Sequence, residues 1–243
     1  MAELVEVGVH ALKIELEGLT ASFRYPFFML GRQPTFEMPP PATIYGLICS
    51  AVGELLDPKL IRFGYWFVHD EMATDFEHFL AIKPGKKGSD PFLWRGQEVH
   101  TNLNVELQPL SREFLFRPRM VLYLNRPDLE PAFKSPHYAV VLGRSQDLFT
   151  YTSVKTVKLV SASRSYIEHT IVPGALGALL DNGIATSMPR FIDYDRERTP
   201  TFGQYVMVHR RSRLTSGGPY LVDTETPEIE GCYRAVMMQG FVD

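Results

Sequence analysis

Cysteine is nearly absent. Cys49 and Cys232 are the only two in 243 residues, too few and too far apart for a disulfide framework. No Cys-x-x-Cys or Cys/His cluster has the spacing of a zinc site. A reducing compartment, no structural metal and no cofactor are therefore expected. Long apolar runs are missing too, since nothing approaches the ~20 residues needed to span a bilayer. Met1–His10 alternates acidic and aliphatic residues instead of opening on a basic start and an apolar core. Neither secretion nor membrane insertion is indicated, and a cytoplasmic location is expected. Basic excess is lacking as well: the formal net charge is −3, which argues against a free-standing, promiscuous nucleic-acid binder. No Gly-x-x-x-x-Gly-Lys-Ser/Thr loop, His-Glu-x-x-His helix or Gly-x-Ser-x-Gly elbow is present.

What is there is apolar and aromatic. The hydrophobic content of 45% and aromatic content of 12% suffice for one substantial core, or for one core with an appended subdomain. Charge is distributed in zones. Glu54–His78 carries two basic against six acidic residues, and Leu221–Asp243 one against five. Ala81–Arg126 reverses this with eight basic against four acidic, as does Met188–Arg213 with six against three. Basic zones on an acidic body fit a protein that holds a short piece of nucleic acid and faces protein elsewhere, although ordinary solvated surfaces have the same composition.

Along the chain, Leu12, Ile14 and Leu16 alternate with Lys13, Glu15 and Glu17, the period of a strand with one buried face. Pro39-Pro40-Pro41 marks a helix start, because proline suits a first turn and breaks an interior. From Ile44 to Leu56 apolar residues recur at helical spacing, and Asp57-Pro58 is expected to end the helix. Leu60–Val68 reads as a buried strand. Lys83–Arg112 interrupts the pattern with an excursion best read as a projecting hairpin. Phe114–Leu124 is expected to be a central strand, Asp128–Tyr138 a short helix and Thr152–Val160 another strand. This order, β-α-β-β-α-β, predicts an α+β, ferredoxin-like (RNA-recognition-motif-like) domain over 1–162, with the thumb hairpin inserted at 83–112. Residues 163–243 read as a β-rich C-terminal subdomain, with strands at Tyr166–Val172 and Gln204–His209. Fold alone implies no function.

Four segments in order carry a resemblance: Leu16–Arg24; Gln33–Phe36 with Pro39–Leu47; Arg112–Arg119; and Val141–Asp147. Together they resemble family five of the CRISPR-associated proteins, within the repeat-associated RNA-binding superfamily. The match runs from about Leu12 to Val160, and the last eighty or so residues show no matching signature. The resemblance implies a type I Cascade subunit, type I-B or a related subtype by preference. It implies a protein that caps the 5′ handle of the CRISPR guide RNA beside the large and helical-backbone subunits, meeting target DNA through the complex.

Single-stranded handles are gripped by guanidinium and backbone N–H contacts to phosphates and by stacking on aromatic faces. Ser22, Phe23, Arg24 and Tyr25 supply such groups in one post-strand loop. Tyr45 lies in the first turn of a helix whose free N–H groups favour an anion. Gly143, Arg144, Ser145 and Gln146 combine close backbone approach, bidentate donors and a small hydroxyl. On the thumb, Lys86, Lys87, Phe92, Trp94 and Arg95 are candidates for wedging or stacking. Core packing for Phe23 and Tyr45, a plain turn at Gly143–Gln146 and a surface loop for the excursion remain open.

One branch of the resembled family cleaves repeat RNA without metal, using tyrosine, lysine and histidine. This chain has no Lys-His pair, and its seven histidines are scattered. The expectation is a non-catalytic subunit. A metal-independent endoribonuclease and an unrelated ferredoxin-like protein-interaction domain are the alternatives.

Overall fold

The computed structural model describes residues 4–27, 31–84, 92–99 and 103–242. Its centre is a six-stranded antiparallel sheet built on the first strand, Leu4–Gly18. Leu12, Ile14 and Leu16 point into the core, as their alternation predicts. The strand pairs on one side with Arg119–Leu124, which sets Leu12 opposite Leu124 and Leu16 opposite Met120. On the other side it pairs with Phe149–Ala162. Arg62–Val68 follows beyond Arg119–Leu124. Short segments from late in the chain then extend each edge, Tyr220–Val222 beside Val160–Ala162 at one side and Gln239–Gly240 beside Arg62–Phe63 at the other.

A helix, Pro41–Val52, covers the sheet with Ile44, Leu47, Ile48 and Ala51. Pro40 caps it without a side-chain hydrogen bond, and Pro41 occupies the first turn. It ends earlier than the sequence suggests. Gly53 adopts φ 91° and donates its N–H to Cys49 O at 2.8 Å, a left-handed stop that only glycine takes without strain. Asp57 instead caps a single 3₁₀ turn, Pro58–Leu60. The second α-helix, Glu130–Lys134, has five residues and is anchored by buried Phe133.

The expected fold class, α+β and ferredoxin-like, is overturned. The described chain is mostly β, and its antiparallel sheet curls into a half-barrel. The physical reason lies in the parts that sequence periodicity rendered poorly. The second helix is too short to form a layer, and residues after 162 add strands to the sheet edges and around the helix. Thr170–Pro173, Thr199–Val208 and Ile184–Asp193 form a three-stranded sheet of their own. Its Ile171, Met188, Tyr205 and Met207 join the cluster that contains Ile14, Ile48, Phe63 and Phe67.

The excursion begins before Lys83. Glu71–Pro84 and Leu103–Phe116 pair antiparallel in unbroken register, from Phe116 opposite Glu71 to Leu103 opposite Pro84. Arg117, at φ 51°, separates this ribbon from the sheet strand Arg119–Leu124, so Phe114–Leu124 is two elements and not one central strand. Met72, Phe76, Leu80, Ile82 and Leu107 lie exposed on one face of the ribbon. Among the described residues no helix is long and apolar enough to cross a membrane.

One charge expected on a solvated face is buried. Lys13 extends its ammonium to Asp223 at 2.7 Å and Glu225 at 2.9 Å, and Tyr123 donates its hydroxyl to Asp223 at 2.6 Å. The segment after Val222 covers that face of the first strand.

Candidate functional site

A groove of about 510 Å³ opens between the loop after the first strand, the start of the long helix, the turn at Val141–Gly143 and the hairpin at 189–200. Arg24 and Arg198 line it, and among the described residues no acidic one does. Arg24 is exposed; its short strand pairs with Thr35–Phe36. Arg198 sits at φ 59°, its guanidinium 5.4 Å from the centre of the Tyr194 ring. Along the floor, Thr43, Gly46, Leu47 and Ser50 follow helical spacing. A Cβ at Gly46 would meet nothing within 4 Å, so the helix presents bare backbone there. Pro40, Ala42 and Thr43, at the helix start, line the same space. Two guanidiniums, a helix start and apolar walls without a carboxylate can receive a phosphate chain and pack a base.

The loop Ser22–Tyr25 divides its labour. Ser22 is buried and donates its hydroxyl to Glu113 O at 2.8 Å. Phe23 is a core residue, edge-to-face with Phe67. Tyr25 stacks on Phe36 with centroids 3.7 Å apart. Of the four, Phe23 and Arg24 reach the groove wall. Tyr45 is turned into the core between Phe191 and Phe241, and it donates its hydroxyl to Leu56 O at 2.5 Å. Burial pushes its phenol well above the usual range.

Gly143–Gln146 is a turn organised by Asp147, whose side chain is wholly enclosed. Asp147 accepts from Thr20 Oγ1 at 2.7 Å, Ser22 N at 3.2 Å and Arg144 N at 2.8 Å. Arg144 Nη2 reaches Asp147 Oδ1 at 2.9 Å, and its Nη1 reaches Glu77 Oε1 on the ribbon at 2.7 Å. Arg144 is thus engaged by two carboxylates and fastens ribbon to body. Burial raises the Asp147 carboxyl, but the donors from Arg144 and Thr20 outweigh it and hold the group below its ordinary value. Gly143, at φ 115°, is required by the protein itself: a Cβ would lie 2.9 Å from Ser22 O. Ser145 and Gln146 are exposed at the turn.

Lys86 and Lys87 lie outside the described residues. Phe92 and Trp94 belong to a short strand pairing with Gln97–Val99, and Arg95, at φ 50°, lies in the tight turn between them.

Sequence reasoning missed two things. Arg198 could have been suspected from the basic zone Met188–Arg213. The histidines gave no signal, yet the fold gathers three of them. Thr170 opposes Val208 in register, which sets His169 beside His209 at the ends of neighbouring strands. Phe67 N donates to His169 O at 2.7 Å, bringing His69 from the same strand end. His209 Nδ1 is 3.7 Å from Glu37 Oε2. Burial lowers the imidazole values of His69 and His169, and the other histidines add to the effect. Among the described residues, no group of three or more His, Cys, Asp or Glu side chains is arranged to hold a metal ion.

No family model matches the chain. A chain of a "CRISPR RNA-guided surveillance complex" shares the fold with a TM-score of 0.51 at 14% identity, over 86% of this chain and 94% of that one. A CRISPR protein from Archaeoglobus fulgidus overlaps at TM-score 0.45 and 12% identity, over 88% and 94% of the two chains. A chain of the type III-B Cmr-beta complex, bound to cognate target RNA and AMPPnP, overlaps at 0.41 and 11%, over 85% and 86%. Among curated proteins, the photosystem I P700 chlorophyll a apoprotein A1 of Trichodesmium erythraeum (strain IMS101) is 26% identical over 127 residues. That stretch is 44% of this chain, which spans only 16% of the length of that protein.

Proposed function

We propose that the chain is an RNA-gripping, non-catalytic subunit of a type I CRISPR surveillance complex, of family five and of type I-B or a related subtype. It holds the 5′ handle of the guide RNA beside the large and helical-backbone subunits, in the cytoplasm. The observation that carries this reading is the acid-free groove between Arg24 and Arg198. The fold shared with a surveillance-complex chain supports it, as do the four ordered sequence segments. The exposed apolar ribbon is a surface for neighbouring subunits or RNA in such an assembly. Against the nuclease alternative, Tyr45 is enclosed and hydrogen-bonded to the backbone.

The test is fluorescence anisotropy of labelled single-stranded handle RNA with wild type and with Arg24→Ala/Arg198→Ala. Each charge-assisted contact contributes roughly 1.5–3 kcal/mol. Allowing for solvent exposure, the double variant should bind at least about tenfold more weakly. Its melting temperature should stay the same. Equal affinity of the two proteins would remove the groove from the RNA path.

A further inference from the structure

Phe27 and Phe202 leave large rings in solvent, 73% and 38% exposed. Their centroids are 5.5 Å apart and their planes 24° from parallel, an offset stack. The rings come from distant parts of the chain, Phe27 from the loop after the short strand Phe23–Arg24 and Phe202 from the strand Thr199–Val208. Both stand at the rim of the groove. Pro26, the residue before Phe27, is in the groove wall. Phe202 lies opposite Pro189 in strand register and two residues from Pro200, which puts it on the strand face that carries both prolines. Pro189 and Pro200 line the groove as well.

The stack is lopsided. Phe202 is the more enclosed ring and backs Phe27, whose outer face is left to solvent. A ring held flat and backed by another is what an unpaired base needs, because every base has a π-face and stacking on an aromatic side chain depends little on sequence. The neighbouring charges select the partner. Arg24 lies in the strand that leads to Phe27, and Arg198 immediately precedes the strand that carries Phe202. Both line the groove, where among the described residues no acid does. An apolar protein segment would gain from the rings but not from the guanidiniums. A strand of flat bases on a phosphate backbone gains from both.

We propose that Phe27 and Phe202 form a base-stacking platform at the rim of the groove. One unpaired base of the bound strand lies on the outer face of Phe27 with Phe202 as its backing, while Arg24 and Arg198 hold neighbouring phosphates. This rests on the groove as the RNA path and adds where a base is seated. Recognition is by ring area, so the platform accepts any base and holds purines more tightly than pyrimidines.

The experiment is an anisotropy titration of the full chain with a short labelled oligoadenylate, and with the same strand carrying one abasic ribose at each position in turn. Phe27→Ala should weaken binding about fivefold or more. It should leave the slope of log affinity against log salt unchanged, because no phosphate contact is lost, whereas Arg24→Ala/Arg198→Ala should flatten that slope. Phe27→Tyr keeps the π-face and should bind like wild type. Phe27→Leu keeps apolar bulk without it and should bind like Phe27→Ala, and all the Phe27 variants should melt with wild type. At one position the abasic strand should bind wild type as weakly as the intact strand binds Phe27→Ala, and Phe27→Ala should not distinguish the two strands. Binding that depends on Arg24 and Arg198 but is unchanged in Phe27→Ala, or in Phe27→Leu, overturns the platform and leaves the groove. Dependence on Phe27 but not on the arginines does the reverse, and no binding by wild type overturns both. Phe27→Ala that binds the strand normally but no longer co-purifies with a complex partner assigns the rings to a protein and overturns the proposal.

Discussion

Arg144 shows how one side chain changes meaning once its neighbours are known. On sequence it is the obvious phosphate contact, flanked by glycine and serine; in the fold, Asp147 and Glu77 already hold its guanidinium. Arg144→Ala leaves the enclosed Asp147 carboxylate with only Thr20 and backbone donors. The expected loss is about 1.5–3 kcal/mol. Calorimetry should record this as a melting temperature lower by several degrees, while handle-RNA affinity of the folded protein stays near wild type. A folded, equally stable Arg144→Ala that has lost RNA binding would restore the phosphate role. Asp147 also fixes a pH dependence. Its folded value is depressed, so the stability it contributes is present above about pH 4 and disappears as pH falls through the folded value. Asp147→Asn should flatten the acid limb of a stability-against-pH curve and lower the neutral plateau.

Among the elements, the ribbon was legible in kind but not in extent. The alternation Thr101, Leu103, Val105, Leu107 marks one strand. Its partner could not be bounded, because Met72, Phe76, Leu80 and Ile82 look like core residues and lie instead on an exposed face. Apolar pattern reports burial only when something within the same chain does the covering. Phe76→Ser with Leu80→Ser should therefore change folding stability by no more than about 0.5 kcal/mol in denaturant titration. The same pair should reduce co-purification with a complex partner. A large drop in stability would place those side chains in a core. The histidine cluster was illegible because it depends on strand register, with His69, His169 and His209 arriving from separate elements. The depressed values of His69 and His169 mean that stability held above about pH 6.5 is lost as pH falls through the folded values. His169→Asn should reduce the difference in melting temperature between pH 7.5 and 5.5, two conditions bracketing that ordinary value.

For the whole molecule, the sequence marked the helix start at Pro39-Pro40-Pro41 and misjudged the class. Short strands after 162 carry weak patterns of their own, and their role is to complete surfaces made earlier in the chain. The groove was half legible: Phe23, Arg24 and Gly143 reach it, while Arg198 comes from the region whose role the motifs left blank. Lys13 was read as solvated for the same reason. Burial alone would lower its ammonium value, but Asp223 and Glu225 hold it above the ordinary one. That pairing is intact from about pH 4 to about pH 10, being lost when Asp223 protonates below and when Lys13 deprotonates above. Lys13→Ala strands a buried carboxylate and should cost about 3–5 kcal/mol in chemical denaturation.

The last strands to join the sheet are also the last to leave the ribosome. Tyr220–Val222 and Gln239–Gly240 lie on opposite edges of a sheet whose other four strands are finished by Ala162. While the intervening chain is being synthesised, both rims carry unpaired backbone groups, the template on which nascent chains stick to one another. A translational pause between codons 163 and 240 is therefore expected to lower soluble yield by prolonging an adhesive intermediate, and a chaperone or partner that covers either rim to restore it.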